Sequence, residues 1–519
     1  MITDLETGLV VLVRPPMCFS RSTYSSPVTP PIALAYLAAC LRQKRIPVKC
    51  IDAVGEDPAK LRIHESLDCH LRGISLDEVI DAIPMDAKFI GVSCMFSQEW
   101  LLTRELLERI RAARPNAIII VGGEHVTAMP DHVLDTCAAV DVCAIGEGEG
   151  IIVDIVERFE NSPDTILGLV FRKDGENHHT GKRERIRDIG EIPLPAWDLV
   201  PIRNYHKFGG CNGINNGISM PILATRGCPF QCTFCSNPIM WGNRYFMRPP
   251  ESVIDEIESY VEEYGATNIE FYDLTAIIQK KWIMEFASLY KQRKLSVAWT
   301  LPSGTRSEAL DDDVLRELAE TNCKYLVYAA ESGSNETLKL IKKKIQLSKM
   351  MASMRSAKRN GITLRCNLII GLPSETRWNI FETIFFQWRL AILGVDDLPL
   401  YMFSPYPGSQ LFKELLAKGR LGKLDDSYFK SLLQQIDFLR CESYNEKVAG
   451  WELAVYRLIG MSIGYLLTYT FHPQRIVRTL KNIFVRGQSD TVFEQRLIEM
   501  RRNKKASRNA KTLTHAASN

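Results

Sequence analysis

PILATRGCPFQCTFCSNP, residues Pro221–Pro238, holds three cysteines, Cys228, Cys232 and Cys235, at the spacing Cys-x3-Cys-x2-Cys. Its first seven residues read as a buried strand that ends at a glycine. The triplet therefore opens directly after a strand. Where strand–helix units repeat, that is the carboxyl-end face on which barrel chemistry is done. Structural zinc takes four ligands, usually from two Cys-x2-Cys pairs, and no second pair is present. A cubane iron–sulfur cluster is held by thiolates with short loop spacings. Three of them leave one iron open to a substrate or cofactor.

Downstream, apolar strand-like stretches alternate with helical ones. They are NIEFYDL (Asn268–Leu274), SVAWTLPS (Ser296–Ser303), KYLVYAAES (Lys324–Ser332), TLRCNLIIGLP (Thr363–Pro373) and DDLPLYMFSPYPG (Asp396–Gly408). PESVIDEIESYVEEYG has Pro250 near its start and Gly265 past its end, the punctuation of a helix. With PILATRG these stretches make six βα units. Six is fewer than eight, so an open, partial (β/α)6 TIM-like barrel is expected over residues 216–420. Residues 421–500 read as helical. Residues 501–519 form a basic tail, with Arg501, Arg502, Lys504, Lys505, Arg508 and Lys511 and no acid, and are expected to be disordered.

Upstream, the first 158 residues alternate in the same way. GLVVLVRPP, PVKCIDA, AKFIGVSCM, AIIIVGGEH and VDVCAIGEGEG read as strands, and PPIALAYLAACLRQKR and QEWLLTRELLERIRAARP as helices. Apolar strands joined by helices predict a doubly wound, Rossmann-like α/β sheet covered on both faces. Ligands of such sheets bind at the carboxyl ends of the strands, where Gly122-Gly123 and the Gly146–Gly150 loop fall. Residues 159–215 read as a polar linker carrying a small hairpin, Thr165–His179.

The chain has 519 residues, room for about three domains. At 46% hydrophobic and 24% charged it has the composition of a globular protein, and its net charge of +3 sets up no global field toward nucleic acid. Most of its fourteen cysteines sit singly in apolar runs, as Cys40, Cys94, Cys323 and Cys366 do, which predicts reduced core thiols. The start, MITDLETGLVVLVRPP, lacks a basic segment and a small-residue cleavage site. A reducing, cytoplasmic location is expected. Leu458–Phe471 is uncharged but shorter than the ~20 residues of a spanning helix. The next stretch places Arg475, Arg478 and Lys481 at helical spacing. Two readings stay open for it: packing on the barrel with a solvated basic face, or peripheral contact with an anionic membrane.

TRGCPFQCTFCSNP resembles the signature of the radical S-adenosylmethionine (SAM) superfamily. The resemblance implies that Cys228, Cys232 and Cys235 hold a [4Fe-4S] cluster and that SAM chelates the open iron. Reductive cleavage of SAM then gives a 5′-deoxyadenosyl radical, which takes a hydrogen atom from the substrate. The protein orients and shields these reagents. The resemblance also carries Phe234 as the aromatic before the last cysteine and Asp273 near the SAM amino group. Relatives often have two acids at that second position; here Asp273 is followed by Leu274 and Thr275. AAESGS places Glu331 and Ser332 toward the SAM ribose and carboxylate, NLIIGLP places Ile369 and Gly371 beside the adenine, and YPGSQLF is also typical. A reducing partner such as flavodoxin or ferredoxin is implied.

The N-terminal sheet is similar to the cobalamin-binding domain that precedes the barrel in one large subclass. The resemblance lies in PPIALAYLAACLRQKRIPVKCID, GVSCMFS, GGEHVTAMPDHVL and CAIGEGEG. It implies cobalamin contacts at Ser93, Gly122, Gly123, Gly146, Glu147 and Gly148, with Ser97 as a further hydroxyl. Glycines at strand ends let backbone come close to a bulky ring. The Asp-x-His-x-x-Gly motif of a lower axial histidine is absent, since the first strand is followed by RPPMCFSRS. His125 is the nearest histidine, and a polar turn residue is its plainer reading. A sheet that binds no corrinoid stays open as an alternative.

The stretch from the triplet to WGNRYFMRPPESVIDEI most resembles the branch of the anaerobic magnesium-protoporphyrin ester cyclase and the hopanoid methylases. That branch implies methylation of an unactivated carbon on a hydrophobic, lipid-like or secondary-metabolite substrate. Its alternative is radical oxidative cyclisation or other oxidising or carbon–carbon bond-forming chemistry. A non-catalytic corrinoid carrier is the reading outside the enzymes. The second three-cysteine domain and RNA-binding domain of the tRNA methylthiotransferases are not evident. Tyr245 and Tyr272 fall near the reacting face, with packing as their expected role.

Overall fold

The computed structural model describes residues 8–21, 27–433 and 442–486, and beyond them 489, 491, 493–495, 497, 498, 500 and 501. The basic tail from 502 onward and Cys441 lie outside the described residues.

Leu9–Arg14 sits inside the first sheet, parallel to Val48–Asp52 on one side and to Ala87–Ser93 on the other. Ile118–Gly122 and Val142–Ala144 extend the sheet in parallel. The strand shows why the run is apolar throughout. Val10 and Leu12 pack with helices Ile32–Gln43 and Gly148–Arg158, while Val11 and Val13 pack with helix Trp100–Ala113. Both faces are covered, as a parallel sheet requires.

Residues 159–215 are more than a linker. Hairpin Leu169–Lys173/Glu176–His179 joins the first sheet as its antiparallel edge, making seven strands. Trp197 is buried in the barrel's core and donates its indole N–H to the Tyr260 hydroxyl at 2.9 Å. Tyr205 is buried against the first domain, donating to Asp52 at 2.5 Å and accepting from Arg14 at 2.8 Å. The stretch is polar overall, but a few large aromatics set where it lies. A further antiparallel sheet of Met17–Ser20, Leu61–His64 and Cys69–Arg72, with no counterpart in the sequence reading, flanks the first domain.

The second sheet has six parallel strands in chain order: Ser219–Ile222, Asn268–Phe271, Ala298–Thr305, Cys323–Glu331, Thr363–Ile370 and Leu400–Met402. It is the open half-barrel that the repeat of βα units predicts. In the fifth strand Leu364, Cys366, Leu368 and Ile370 are fully buried in the core shared with the outer helices. Thr363, Arg365, Asn367 and Ile369 point the other way and are half-buried. Helix Arg377–Leu393 starts with a capping box between Thr376 and Asn379 and stops at Gly394 in the left-handed region.

The C-terminal region is not one unit. Helix Asp426–Leu433 packs back on the first domain, where Arg104 grips Asp426 and Phe429 lies against His125 and His132. Helix Gly450–Phe471 instead packs along Arg377–Leu393. The expected solvated basic face of helix Gln474–Lys481 is largely turned inward. Arg475 is buried with its guanidinium 3.0 Å from the buried carboxylate of Asp396, and Arg478 lies 3.7 Å from it.

Candidate functional site

The first barrel strand continues as Thr225–Arg226, which pairs with Phe246–Met247 and closes the cysteine loop at its base. Cys228, Cys232 and Cys235 are half-buried, whereas all other described cysteines except Cys50 are buried. The loop is pinned by backbone bonds from Thr233 N–H to Ile341 (3.0 Å), from Leu411 N–H to the Thr233 carbonyl (2.9 Å) and from Cys235 N–H to Cys232 (3.1 Å). The Thr275 hydroxyl lies 3.7 Å from the Cys228 sulfur. Burial pushes the Cys235 thiol up to about 12 and raises Cys232 as well. Such thiols give up their protons to a metal, because the ion supplies the charge that burial withholds. Lys343 and Arg306 add positive field at Cys232. Among the described residues no three His, Cys, Asp or Glu side chains are gathered as ligands of one ion. Three thiols on one loop suit instead a polynuclear centre, in which each thiolate binds its own iron.

The residues expected around SAM, Phe234 on the loop apart, stand at or just past the carboxyl ends of their strands, but they differ in what they leave free. Asp273 is buried and accepts from Ala224 N–H (3.2 Å) and from the Thr225 hydroxyl (2.5 Å), and burial pushes its carboxyl up to about 6. Its carboxylate is thus committed to the strand that leads into the cysteine loop. Ser332 is also committed: its hydroxyl is 2.9 Å from the Thr383 hydroxyl and accepts from Ser334 N–H at 3.1 Å. Glu331 ends the fourth strand at φ +65° and pairs with Lys343 at 3.0 Å. Gly371 donates its N–H to Glu375 at 2.8 Å. Phe234 and Ile369 are half-buried against one apolar cluster. Tyr245 donates to the carbonyls of Thr275 (3.0 Å) and Ala276 (3.1 Å), an anchoring role.

Between the two sheets lies a cavity of about 630 Å³. Ser93, Gly122, Gly123, Gly146, Glu147 and Gly148 all line it, with Arg14, Tyr36 and Phe96 from the same domain and Thr225, Arg226, Gly227, Trp241 and Tyr272 from the barrel side. Gly123 (φ +127°) passes so close to the Cys94 carbonyl that a Cβ would stand 2.3 Å from its oxygen. Gly146 (φ +88°) would meet nothing within 4 Å, so its backbone faces open space. A bulky planar ligand fits against such bare peptide.

Polar links cross this junction at several points. Arg226 is buried and forks between Glu147, at 3.2 Å, and Glu149. Burial alone would lower its pKa, but Glu149 and then Glu147 outweigh it, and the guanidinium is held charged. Ser236, next to the last cysteine, donates to Glu124, next to Gly123. The cysteine loop and the glycine loops of the first sheet are thereby tied together. The Arg226–Glu149 pair escapes sequence reading because its members stand 77 residues apart. The signal that existed was the pair of acids in GEGEG.

Two sequence expectations fall away from the cavity. His125 is buried between Trp100 and Phe429, its Nδ1 3.0 Å from the Ser97 hydroxyl, and burial pushes it down to about 3. Neither His125 nor Ser97 lines the cavity.

Residues 24–156 match the B12 binding domain, and residues 222–386 match the radical SAM superfamily. The chain joins a B12-binding domain to a radical SAM domain. It is 28% identical over 417 residues to an uncharacterized methyltransferase of Pyrococcus horikoshii, covering 79% of this chain and 84% of that protein. It is 28% identical over 395 residues to the anaerobic magnesium-protoporphyrin IX monomethyl ester cyclase of Cereibacter sphaeroides, covering 74% of this chain and 60% of the cyclase. The solved structure of TsrM, a radical SAM methyltransferase from Kitasatospora setae with cobalamin and a [4Fe-4S] cluster bound, shares the fold. The TM-score is 0.67 at 16% identity, over 96% of this chain and 99% of that one. The enzyme's cofactors are a [4Fe-4S] cluster, SAM and cobalamin. Three half-buried thiols at the barrel mouth and bare glycine backbone at the sheet ends are a donor set and a cradle that fit them.

Proposed function

We propose that the enzyme methylates an unactivated carbon of a hydrophobic small molecule. The cofactors, once bound, supply a hydrogen-abstracting radical and a transferable methyl group. Cys228, Cys232 and Cys235 hold the cluster, and Lys343 and Arg306 offset its negative charge. In this reading Phe234, Ile369 and the backbone at Glu331–Ser332 and Gly371 form the SAM wall. Asp273 acts through Thr225, by fixing the base of the cysteine loop. Ser93, Gly122, Gly123, Gly146, Glu147 and Gly148 seat the corrinoid.

The observation that carries the reading is the cavity between the sheets, lined at once by the strand ends of the first sheet and by residues that flank the cysteine loop, the three cysteines themselves standing outside its lining. Two cofactors facing one space can act on one substrate carbon. A cyclase or oxidase reading is kept by the likeness to the Cereibacter protein. The partners of this reading are a flavodoxin- or ferredoxin-like reductant, an apolar substrate and a peripheral membrane contact.

The test is anaerobic reconstitution with iron, sulfide, cobalamin and methyl-labelled SAM, followed by incubation with candidate apolar acceptors. Labelled methyl in product supports methylation. Formation of 5′-deoxyadenosine with an oxidised, unlabelled product supports the cyclase class. Cobalamin binding without any SAM cleavage would reduce the chain to a carrier.

A further inference from the structure

Helix Gly450–Phe471 leaves a broad apolar side in water, although Leu453, Tyr456, Met461 and Leu467 pack on the core. Its buried residues are Leu453, Arg457, Gly460, Gly464 and Thr468, a stripe at helical spacing in which four of five are glycine or polar. They face helix Arg377–Leu393, where Trp388 donates its indole N–H to the Gly460 carbonyl at 3.2 Å. The opposite side shows Trp451, Val455, Leu458, Ile459, Leu466 and Phe471 to solvent. Small residues at the helix contact and large apolar ones outside are the arrangement of helices that meet lipid.

The neighbouring elements continue this face. With Arg475 turned in on Asp396, helix Gln474–Lys481 exposes Ile476, Val477 and Leu480, and Phe484 and Val485 follow. Trp378, Phe381, Phe385 and Ile392 add the outer side of Arg377–Leu393. Fifteen of the twenty-five exposed large hydrophobics among the described residues lie in these segments. Chance scatter over the surface would not concentrate them so.

We propose that this face seats on an anionic lipid bilayer, lying in the interface without crossing it. No helix among the described residues is long and apolar enough to cross a membrane. Charge selects lipid over a second copy of the chain. Arg389 and Lys481 are exposed on these helices. Arg501 lies over the Phe484 ring at 4.4 Å and donates to the Ile483 carbonyl at 2.9 Å. The basic stretch Arg501–Lys511, which has no acid, therefore starts at the edge of the apolar face. Two copies face to face would bring the Arg389, Lys481 and Arg501 cations of both together, whereas anionic headgroups neutralise them. The proposal rests on the membrane contact of the reading above but needs none of its chemistry.

The test is co-sedimentation of the reconstituted full chain with vesicles of phosphatidylcholine, alone or mixed with phosphatidylserine. Wild type is expected to pellet with the mixed vesicles and to be released by salt. Leu458→Glu/Val477→Glu is expected to weaken the partition at least about tenfold, since two apolar side chains no longer leave water. Arg502→Gln/Lys504→Gln/Lys505→Gln is expected to erase the preference for phosphatidylserine. SAM cleavage by these variants, unchanged, shows that they are folded. Equal binding by wild type and Leu458→Glu/Val477→Glu, absence of binding to either vesicle, or a wild-type dimer that this variant converts to monomer would each overturn the proposal. Loss of SAM cleavage in wild type with vesicle binding intact would sink the reading of the chemistry alone.

Discussion

Arg226 joins the domains, and its removal gives a sharp prediction. In Arg226→Gln the side chain keeps its rough length and loses its charge. Two carboxylates then face each other inside the junction, Glu147 and Glu149, whose side chains are only 6% and 11% exposed. Breaking a buried pair by removing one partner costs about 3–5 kcal/mol, chiefly through the uncompensated charge left behind. Glu147 keeps the Ile186 N–H at 2.8 Å and the Arg185 guanidinium at 3.5 Å, so the lower end, about 3 kcal/mol, is expected. At about 1.4 kcal/mol per factor of ten, local opening becomes roughly a hundredfold easier. Hydrogen exchange reads this directly, because amides of one region report its own opening free energy. Amides of 146–150 and 225–227 should exchange roughly a hundred times faster, while those of the fifth barrel strand should not change. Cobalamin affinity should fall with them, since Glu147 and Gly148 line the cavity. Arg226→Lys should fall between, because an ammonium cannot fork to both acids. Unchanged exchange at both loops in Arg226→Gln would refute the claim that this ion pair holds the junction.

Replacing any one of Cys228, Cys232 or Cys235 by alanine should abolish the cluster's visible absorption and 5′-deoxyadenosine formation together, whereas Cys323→Ala should spare both. Glu270 is buried under the Asn212 and Gly213 N–H groups, and burial pushes it up to about 7. A raised carboxyl favours the folded state below its unfolded pKa, and the advantage is lost as pH rises through the folded value. Glu270→Gln should therefore gain stability over wild type from pH 5 to 8, reaching about 3 kcal/mol in urea unfolding. A constant difference across that range would contradict the assignment. Gly123→Ala should destabilise the first domain by at least about 1 kcal/mol through its clash with Cys94, as read by thermal unfolding. Gly146→Ala strikes no neighbour but is strained at φ +88°, so it should lower stability as well as cobalamin affinity.

Much of the architecture was legible in the residues. The six barrel strands lie within or overlap the six quoted apolar stretches, because buried strands between helices leave short apolar runs bounded by Gly, Pro and polar residues. The alternation in Thr363–Ile370 has a direct physical reading, since one set of side chains packs on helices and the other faces the lumen. Local pattern could not show allegiance between distant segments. The hairpin Leu169–His179 looked like part of a linker, since its partner strand lies elsewhere in the chain. Arg475 and Arg478 looked like a solvated basic face, since nothing near them in sequence announces the buried Asp396. The site divides in the same way. The cysteine triplet and the glycine turns are local motifs and were readable. The commitment of Asp273 to Thr225, of Ser332 to Thr383 and of Ser97 to His125 appears only once the chain is folded.

The sharing of one cavity by a SAM-cleaving cluster and a corrinoid is the heart of the proposed chemistry. It is tested by reducing the enzyme, reconstituted anaerobically with cluster and cobalamin, in the presence of methyl-labelled SAM. The two quantities to follow are 5′-deoxyadenosine and label carried on the corrinoid. Wild type is expected to give both, the first lost in Cys232→Ala and the second lowered in Arg226→Gln. A fully loaded cluster that yields no 5′-deoxyadenosine, or a bound corrinoid that never takes label, would contradict it.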